Sequence, residues 1–426
     1  MTLVLVAFLV LLLLGMPVAF AIGIAGFLFF LQQPHLPLTM PVQLVLSETQ
    51  SFSLLAIPMF VFAGNLMNAT GVTKRLVEFA RVVAGHMWGW LGQVSVILST
   101  LMGGVTGSAI ADSAMQARIM GPEMIRRGYS RGWAAANFAF TALITIAIPP
   151  GIGLVLYGSI GQVSIGRLFA GGLVPGLLMA LAYGIVVSIT ARRRGYRPER
   201  ERPAPVRDIA RTGVATIWAI MFPILLIVTL RSGLLVPSEA GAAACLYAVL
   251  VGLLAYRELD WERFKQAAQS SILDTGMIML LIAMSGLVSY AMKWEMIPQT
   301  LTQTLIGLSS NPLVILFIIL VFLLLLGTVL DSTVIILLLS AILVPVMKGI
   351  GVDLVHFGVL FVITCAVGLN TPPVGLSMYG VCSILDCSVG DFVREGWPFF
   401  VAALCVIALM FLFPQVVLWL PNLIFG

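Results

Sequence analysis

Ile148-Pro-Pro-Gly-Ile-Gly-Leu-Val-Leu-Tyr-Gly158 and Asn370-Thr-Pro-Pro-Val-Gly-Leu-Ser-Met-Tyr-Gly380 are two versions of one stretch, half a chain apart, each inside apolar sequence. Other residues recur at nearly the same offset. Pro17 meets Pro237, Pro122 meets Pro345 and Gly128 meets Gly351, and Ser164, Gly166 and Gly172 meet Ser388, Gly390 and Gly396. An internal repeat of this length is a frequent basis of transporter folds. The repeat predicts a first half over residues 1–191, a linker over 192–211 and a second half over 212–426.

The setting of the repeat is a membrane. The 426 residues are 60% hydrophobic and only 10% charged, against about 45–50% and about 25% in globular chains. Apolar runs at 214–230, 240–255 and 313–330 approach or reach the roughly 20 residues that a helix needs to span a bilayer. Residues 1–15 lack the positive start of a cleaved signal and read as part of a first membrane segment.

Charge placement then separates the halves. Residues 118–132 hold Arg118, Arg126, Arg127 and Arg131, whereas the matching 340–353 hold only Lys348. Residues 73–86 carry Lys74, Arg75 and Arg81; the matching 294–309 carry no Lys or Arg, with Lys293 just outside. In the opposite sense, 256–265 carry Arg257, Arg263 and Lys265, and the matching 34–46 carry none. Positive loops face the cytoplasm, so opposite charge in equivalent loops predicts two inverted repeats. Residues 73–86, 118–131, 192–211 and 256–265 are expected at the cytoplasmic side. The eight arginines of 192–211 read as this loop bias rather than as a nucleic-acid patch.

A helix broken at membrane depth needs protein or water to satisfy its freed backbone groups. Pro149, Pro150 and Gly151 make one such break; Thr371, Pro372 and Pro373 make the other, just after Asn370. Matched breaks point to a transport site, where half-helix N-termini meet anions and freed carbonyls meet Na+. Upstream of each lies a polar interruption between short apolar arms: Gly103-Gly-Val-Thr-Gly-Ser-Ala-Ile-Ala-Asp112-Ser113 and Gly327-Thr-Val-Leu-Asp331-Ser-Thr333. Both are expected to be tips of re-entrant hairpins. Intramembrane carboxylates mark function, and Asp331 stands in the more apolar surroundings; Arg118 offers Asp112 a nearby ion-pair partner. The candidate ion and solute residues are therefore Gly104, Thr106, Gly107, Ser108, Asp112, Pro149, Pro150, Gly327, Asp331, Ser332, Thr333, Asn370, Thr371, Pro372 and Pro373. Na+ is expected near Ser108, Pro149, Asp331 and Asn370, where hydroxyls and carbonyls suit a hard cation, with a proton as the rival coupling ion.

Catalysis finds no support. There is no HExxH and no GxxxxGK[ST], and His35, His86 and His356 lie far apart. Asp274-Thr-Gly276 is only a superficial protease triplet. Cys245, Cys365, Cys382, Cys387 and Cys405 form no CxxC pair and read as buried small apolar residues. Trp88, Trp90, Trp261 and Trp294 are expected in an interfacial belt.

With these motifs in order, the chain resembles the large permease subunit (M subunit) of the tripartite ATP-independent periplasmic (TRAP) transporters. Gly15-Met-Pro-Val-Ala-Phe, Ile57-Pro-Met-Phe, Gly64-Asn-Leu-Met and Gly104-Val-Thr-Gly-Ser-Ala-Ile-Ala-Asp112 carry the first half of the resemblance. Pro237-Ser-Glu-Ala-Gly241, Val355-His-Phe-Gly358 and Leu369-Asn-Thr-Pro-Pro-Val-Gly375 carry the second. The resemblance implies an all-α polytopic elevator transporter in a bacterial inner membrane. It implies Na+-coupled uptake of an organic acid, a carboxylate, and no cofactor. The implied partners are a periplasmic solute-binding protein and a small four-helix membrane subunit. Residues 138–147 and 112–118 are bulkier than the family pattern. A related ion-coupled carboxylate carrier that needs no binding protein is the alternative.

Overall fold

The computed structural model describes residues 2–50, 52–309 and 311–426, so Met1 of the expected first segment falls outside it. Among the described residues every regular element is a helix. Six helices are long and apolar enough to cross a membrane, and up to eight when each of two bent pairs counts as one span. Their outward faces are apolar: Leu177, Leu181, Ile185 and Ile189 of Ile165–Arg194 are all exposed, as lipid contact requires.

The order of helices from Trp90–Met102 to Ile165–Arg194 is matched by the order from Pro312–Gly327 to Val389–Leu412. The expected hairpins are present. Trp90–Met102 and Ala109–Arg126 form the first; Pro312–Gly327 and Ser332–Gly349 form the second. Polar residues stop and restart the chain at each tip. Ser108 Oγ accepts from Ala111 N at 3.5 Å, and Asp331 Oδ1 accepts from Thr333 N at 2.8 Å, each capping the helix that follows.

Both expected breaks are present as well. The first divides Arg131–Thr141 and the short Ile144–Ala147 from Ile152–Gly161, with a bend of 42°. The second divides Leu354–Gly368 from Leu376–Leu385. The Pro149–Pro150 and Pro372–Pro373 bonds are both cis. At the second break the freed backbone groups find partners in the protein, as membrane depth demands. Val374 N and Gly375 N donate to Thr328 O at 3.1 and 2.9 Å, and Ser377 N and Met378 N donate to Leu369 O at 3.1 and 3.3 Å.

The halves interlock crosswise. Ala109–Arg126 of the first hairpin packs on Leu376–Leu385, while Ser332–Gly349 of the second packs on Ile152–Gly161. Ser113 Oγ and Ser377 Oγ meet at 3.2 Å, and Asn370 Nδ2 donates to Ala139 O at 2.8 Å. Within the second half the contact is close enough to exclude a side chain. A methyl on Gly327 would lie 2.5 Å from Cys365 O, and one on Gly368 would lie 2.5 Å from Gly327. Small residues permit such backbone approach between membrane helices. A second group of helices packs beside the hairpins: Val18–Leu31, Ala56–Ala69, Pro237–Leu250 and Trp261–Trp294.

All four loops expected on one side gather at one end, joined by ion pairs. Arg75 reaches Glu258 at 2.7 Å, Arg81 pairs with Glu123, and Arg127 reaches Glu199 at 3.2 Å. The segment after Arg194 is more than a solvated loop. Glu199 N and Arg200 N donate to Gly85 O, and the Tyr196 ring stacks 4.1 Å from Tyr129 while its hydroxyl accepts from Ser130 N. Trp261 and Trp294 are exposed, whereas Trp90 is buried. The Arg127 guanidinium lies 4.8 Å from the Trp90 ring, and this cation–π contact favours the inner position.

Candidate solute and cation site

A cavity of about 640 Å³ opens between the hairpin tips and the neighbouring helix group. The first tip contributes Thr106, Gly107 and Ser108; the second contributes Asp331, Ser332 and Thr333. Each is where the sequence expects it, because a helix start exposes unpaired N–H groups and a capping side chain together. Gly107 is required by shape. Its φ is +59°, and a methyl there would lie 2.5 Å from Pro150 O, so the first tip rests on the first break. Thr328 holds the second tip to the second break through the two bonds described above. Each hairpin thus docks on the broken helix of its own half.

The remaining expected residues stand behind this surface rather than on it. Gly104 is a packing glycine, with Pro223 where its side chain would be, and Gly327 serves the same purpose against Gly368. Pro149 and Pro150 are buried outside the cavity lining. Asn370 is buried behind it, and Pro372 and Pro373 are exposed elsewhere. Thr371 Oγ1 turns back to Val367 O at 3.1 Å. Asp112 is fully buried one turn beyond the tip and is not paired with Arg118, which is exposed near Pro122 and Asp386. Its partners are Ser99 and Gln116.

The opposite wall carries residues that the sequence reading passed over. Asn65 and Asn68 of Ala56–Ala69 and Asp274 of Trp261–Trp294 line the cavity. Asn65 Nδ2 donates to Asp274 Oδ2 at 3.1 Å and to Ser271 Oγ at 3.0 Å. Asp274 carried a usable signal, being an acid within a long apolar span; its resemblance to a protease triplet drew the reading elsewhere.

Among the described residues the cavity lining contains two carboxylates, Asp274 and Asp331, and no Lys, Arg or His. Its polar groups are oxygens and amides, a set that suits hard cations and polar solutes. Behind the second tip, Asn370 Oδ1 is a buried oxygen without a hydrogen-bond partner, which fits a cation better than a closed core. Among the described residues no group of three or more His, Cys, Asp or Glu gathers as a transition-metal site would require.

Helical spans, paired hairpins and a largely apolar cavity with polar groups at their tips are the features of a polytopic membrane transporter. Solved structures of the same build are the YdaH transporter of Alcanivorax borkumensis and MtrF of Neisseria gonorrhoeae. They have TM-scores of 0.62 and 0.55, identities of 11% and 14%, and cover 86% and 87% of this chain and 86% and 83% of theirs. The likeness is one of fold. Residues 5–416 match the family model of the tripartite ATP-independent periplasmic transporter, DctM component. The chain belongs to this family of TRAP transporter large permeases, multi-pass proteins of the bacterial inner membrane. It is 33% identical over 414 residues to the sialic acid TRAP transporter large permease protein SiaM of Vibrio cholerae, covering 97% of this chain and 96% of that one. It is 31% identical over 405 residues to the 2,3-diketo-L-gulonate TRAP transporter large permease protein YiaN of Escherichia coli, covering 95% of each. The isethionate TRAP transporter permease protein DctMQ of Oleidesulfovibrio alaskensis is 30% identical over 95% of this chain and 64% of its own length.

Proposed function

We propose that this chain is the Na+-coupled translocating subunit of a tripartite importer, and that its solute is an organic acid. The absence of any basic side chain from the cavity lining carries this reading. An anion entering a space with Asp274 and Asp331 meets like charge at low dielectric, where repulsion is far stronger than in water. Cations bound beside it supply the missing counter-charge, and this links anion uptake to a cation gradient. Ser108 and Asp331 with the break residues Pro149 and Asn370 are the positions assigned to Na+. The solute is placed among Thr106, Gly107, Ser108, Ser332 and Thr333. Relatives named for sialic acid, 2,3-diketo-L-gulonate and isethionate point to an acid.

In this reading residues 1–191 and 212–426 are inverted repeats. Their hairpins and broken helices move as a body against the group containing Asn65 and Asp274, an elevator displacement. The cavity lies at the boundary across which that motion would occur. A periplasmic binding protein delivers the acid and a small membrane subunit supports the static helices.

The test is uptake into proteoliposomes holding the chain and its small membrane partner, with the binding protein and radiolabelled acid outside. Accumulation under an inward Na+ gradient, and none with K+ or choline, is expected. Uptake that ignores Na+, or follows a pH gradient alone, refutes the coupling; uptake without any binding protein favours a stand-alone carrier.

A further inference from the structure

Asp274 faces the cavity without a counter-charge. It stands near the middle of Trp261–Trp294, a helix of 34 residues, and lines the cavity together with Met277, Ile278 and Leu281. Residues three, four and seven apart share one face of a helix, so the carboxylate is set in an apolar stripe. Among the described residues no Lys, Arg or His pairs with it. A carboxylate drawn out of water and left unpaired is costly.

Counting protons shows what this wall can still bond. An ionised Asp274 only accepts, so the Asn65 atom 3.1 Å from its Oδ2 is the amide nitrogen. Ser271 Oγ gives its proton to Ala267 O at 2.6 Å and accepts the second Asn65 proton at 3.0 Å. Both protons of the amide are thereby used. What the cluster has left to offer is acceptors: the two Asp274 oxygens and Asn65 Oδ1.

The wall made by the hairpin tips has the reverse character. Ala109 and Ile110 open the helix Ala109–Arg126 and line the cavity. The N–H groups of a first turn lack helical partners and carry the positive end of the helix dipole. One wall therefore offers donors to an anion, and the other offers acceptors and a negative charge.

We infer that the solute is a zwitterion: an organic acid that also carries an ammonium group, its carboxylate at the hairpin tips and its ammonium on Asp274 and Asn65. The inference rests on the reading of this cavity as the solute path and names the kind of acid that follows it. A primary ammonium has three N–H donors, which match the three acceptor atoms left on the wall. A bare metal ion fits less well. Hard cations gather about six oxygens or more, and the Asn65 amide nitrogen already occupies part of the space around Asp274. The cavity of about 640 Å³ lies in the usual range of small-molecule sites, so a single solute can touch both walls.

The experiment is thermal unfolding of the purified chain with its small membrane partner, titrated with probes in NaCl. The probes are ω-aminocarboxylates of increasing length, from β-alanine to 6-aminohexanoate, and plain carboxylates of the same lengths. Dissociation constants follow from the rise of melting temperature with probe. The aminocarboxylate of best length should bind roughly ten- to hundredfold more tightly than its plain counterpart, as a hydrogen bond to a charged group supplies. Asp274→Asn should abolish that advantage and hold the plain carboxylate at least as tightly as before. Asp274→Glu keeps the charge but carries it one methylene further into the cavity, so the preferred probe should become shorter; this variant carries the test if Asp274→Asn does not fold. Equal binding of matched probes, binding of neither, an advantage retained in Asp274→Asn, or an unchanged preferred length in Asp274→Glu overturns the inference. Repeating the titrations in choline chloride separates the two readings. An ammonium preference that persists without Na+ upholds the zwitterion and refutes the coupling, whereas Na+-dependent binding with no ammonium preference does the reverse.

Discussion

Docking of the first hairpin tip on the first broken helix can be tested with Gly107→Ala, read against Gly128→Ala. Both glycines have positive φ, +59° and +84°, so both alanines suffer left-handed strain of about 1–2 kcal/mol. They differ in what a methyl meets. At Gly128 there is nothing within 4 Å, whereas at Gly107 the methyl would lie 2.5 Å from Pro150 O and 3.3 Å from Ile152 N. Both obstacles are backbone, unable to swing aside as a side chain would, so the alanine must lift the tip from the break. Overpacking of this kind costs about 1–3 kcal/mol. Gly128→Ala should therefore lose about 1–2 kcal/mol and Gly107→Ala about 2–5 kcal/mol. Thermal unfolding of the purified variants, run beside proteoliposome uptake, measures the difference. Uptake should fail in Gly107→Ala and survive in Gly128→Ala, since only the former disturbs the cavity. Equal destabilisation by the two alanines would show that the tip does not rest on Pro150 and would remove the basis for treating hairpin and break as one unit.

Two further outcomes follow from other contacts. Asp274→Asn removes charge from the cavity wall opposite the tips but keeps an oxygen for Asn65. Stability should move within about 1 kcal/mol, while removing one of the two carboxylates that repel the anion should change the Na+ dependence of uptake at limiting solute. Unchanged uptake would place Asp274 outside the transport path. Tyr196→Ala removes the ring stacked on Tyr129 and the acceptor for Ser130 N, and should cost about 2–3 kcal/mol. Glu199→Gln breaks only the part-exposed pair with Arg127 and should cost under about 1 kcal/mol. Melting temperatures in the reverse order would return residues 192–211 to the status of a free charged loop.

Backbone and solvent rules made much of this protein readable before any contact was known. Hydropathy places the spans because lipid offers no hydrogen bonds, and proline breaks a helix wherever it occurs. Hence Pro149, Pro150, Pro372 and Pro373 locate both breaks, and the polar runs around Ser108 and Asp331 locate both tips. Charge placement grouped four loops that the fold then joins through Arg75–Glu258, Arg81–Glu123 and Arg127–Glu199. These are local properties, fixed by residue type and neighbours in the chain.

Which side of each element faces which partner is a different kind of information. Asp274 became part of the cavity only when Trp261–Trp294 packed beside Ala56–Ala69 and brought Asn65 within 3.1 Å. Nothing in its own segment says which face of the helix is turned inward. Gly104 and Gly327 read from the sequence as ion or solute residues, and in the fold Pro223 and Gly368 come too close there for a side chain. Asp112 looked available to Arg118 and instead joins Ser99 and Gln116, because its helix face turns into the hairpin while Arg118 turns out. The sequence by itself determined a membrane protein with two matched pairs of hairpin and break, since the bilayer acts on each segment separately. Tertiary packing alone decided which oxygens meet in one cavity and which carboxylate is left without a counter-charge, since those depend on contacts between segments about two hundred residues apart.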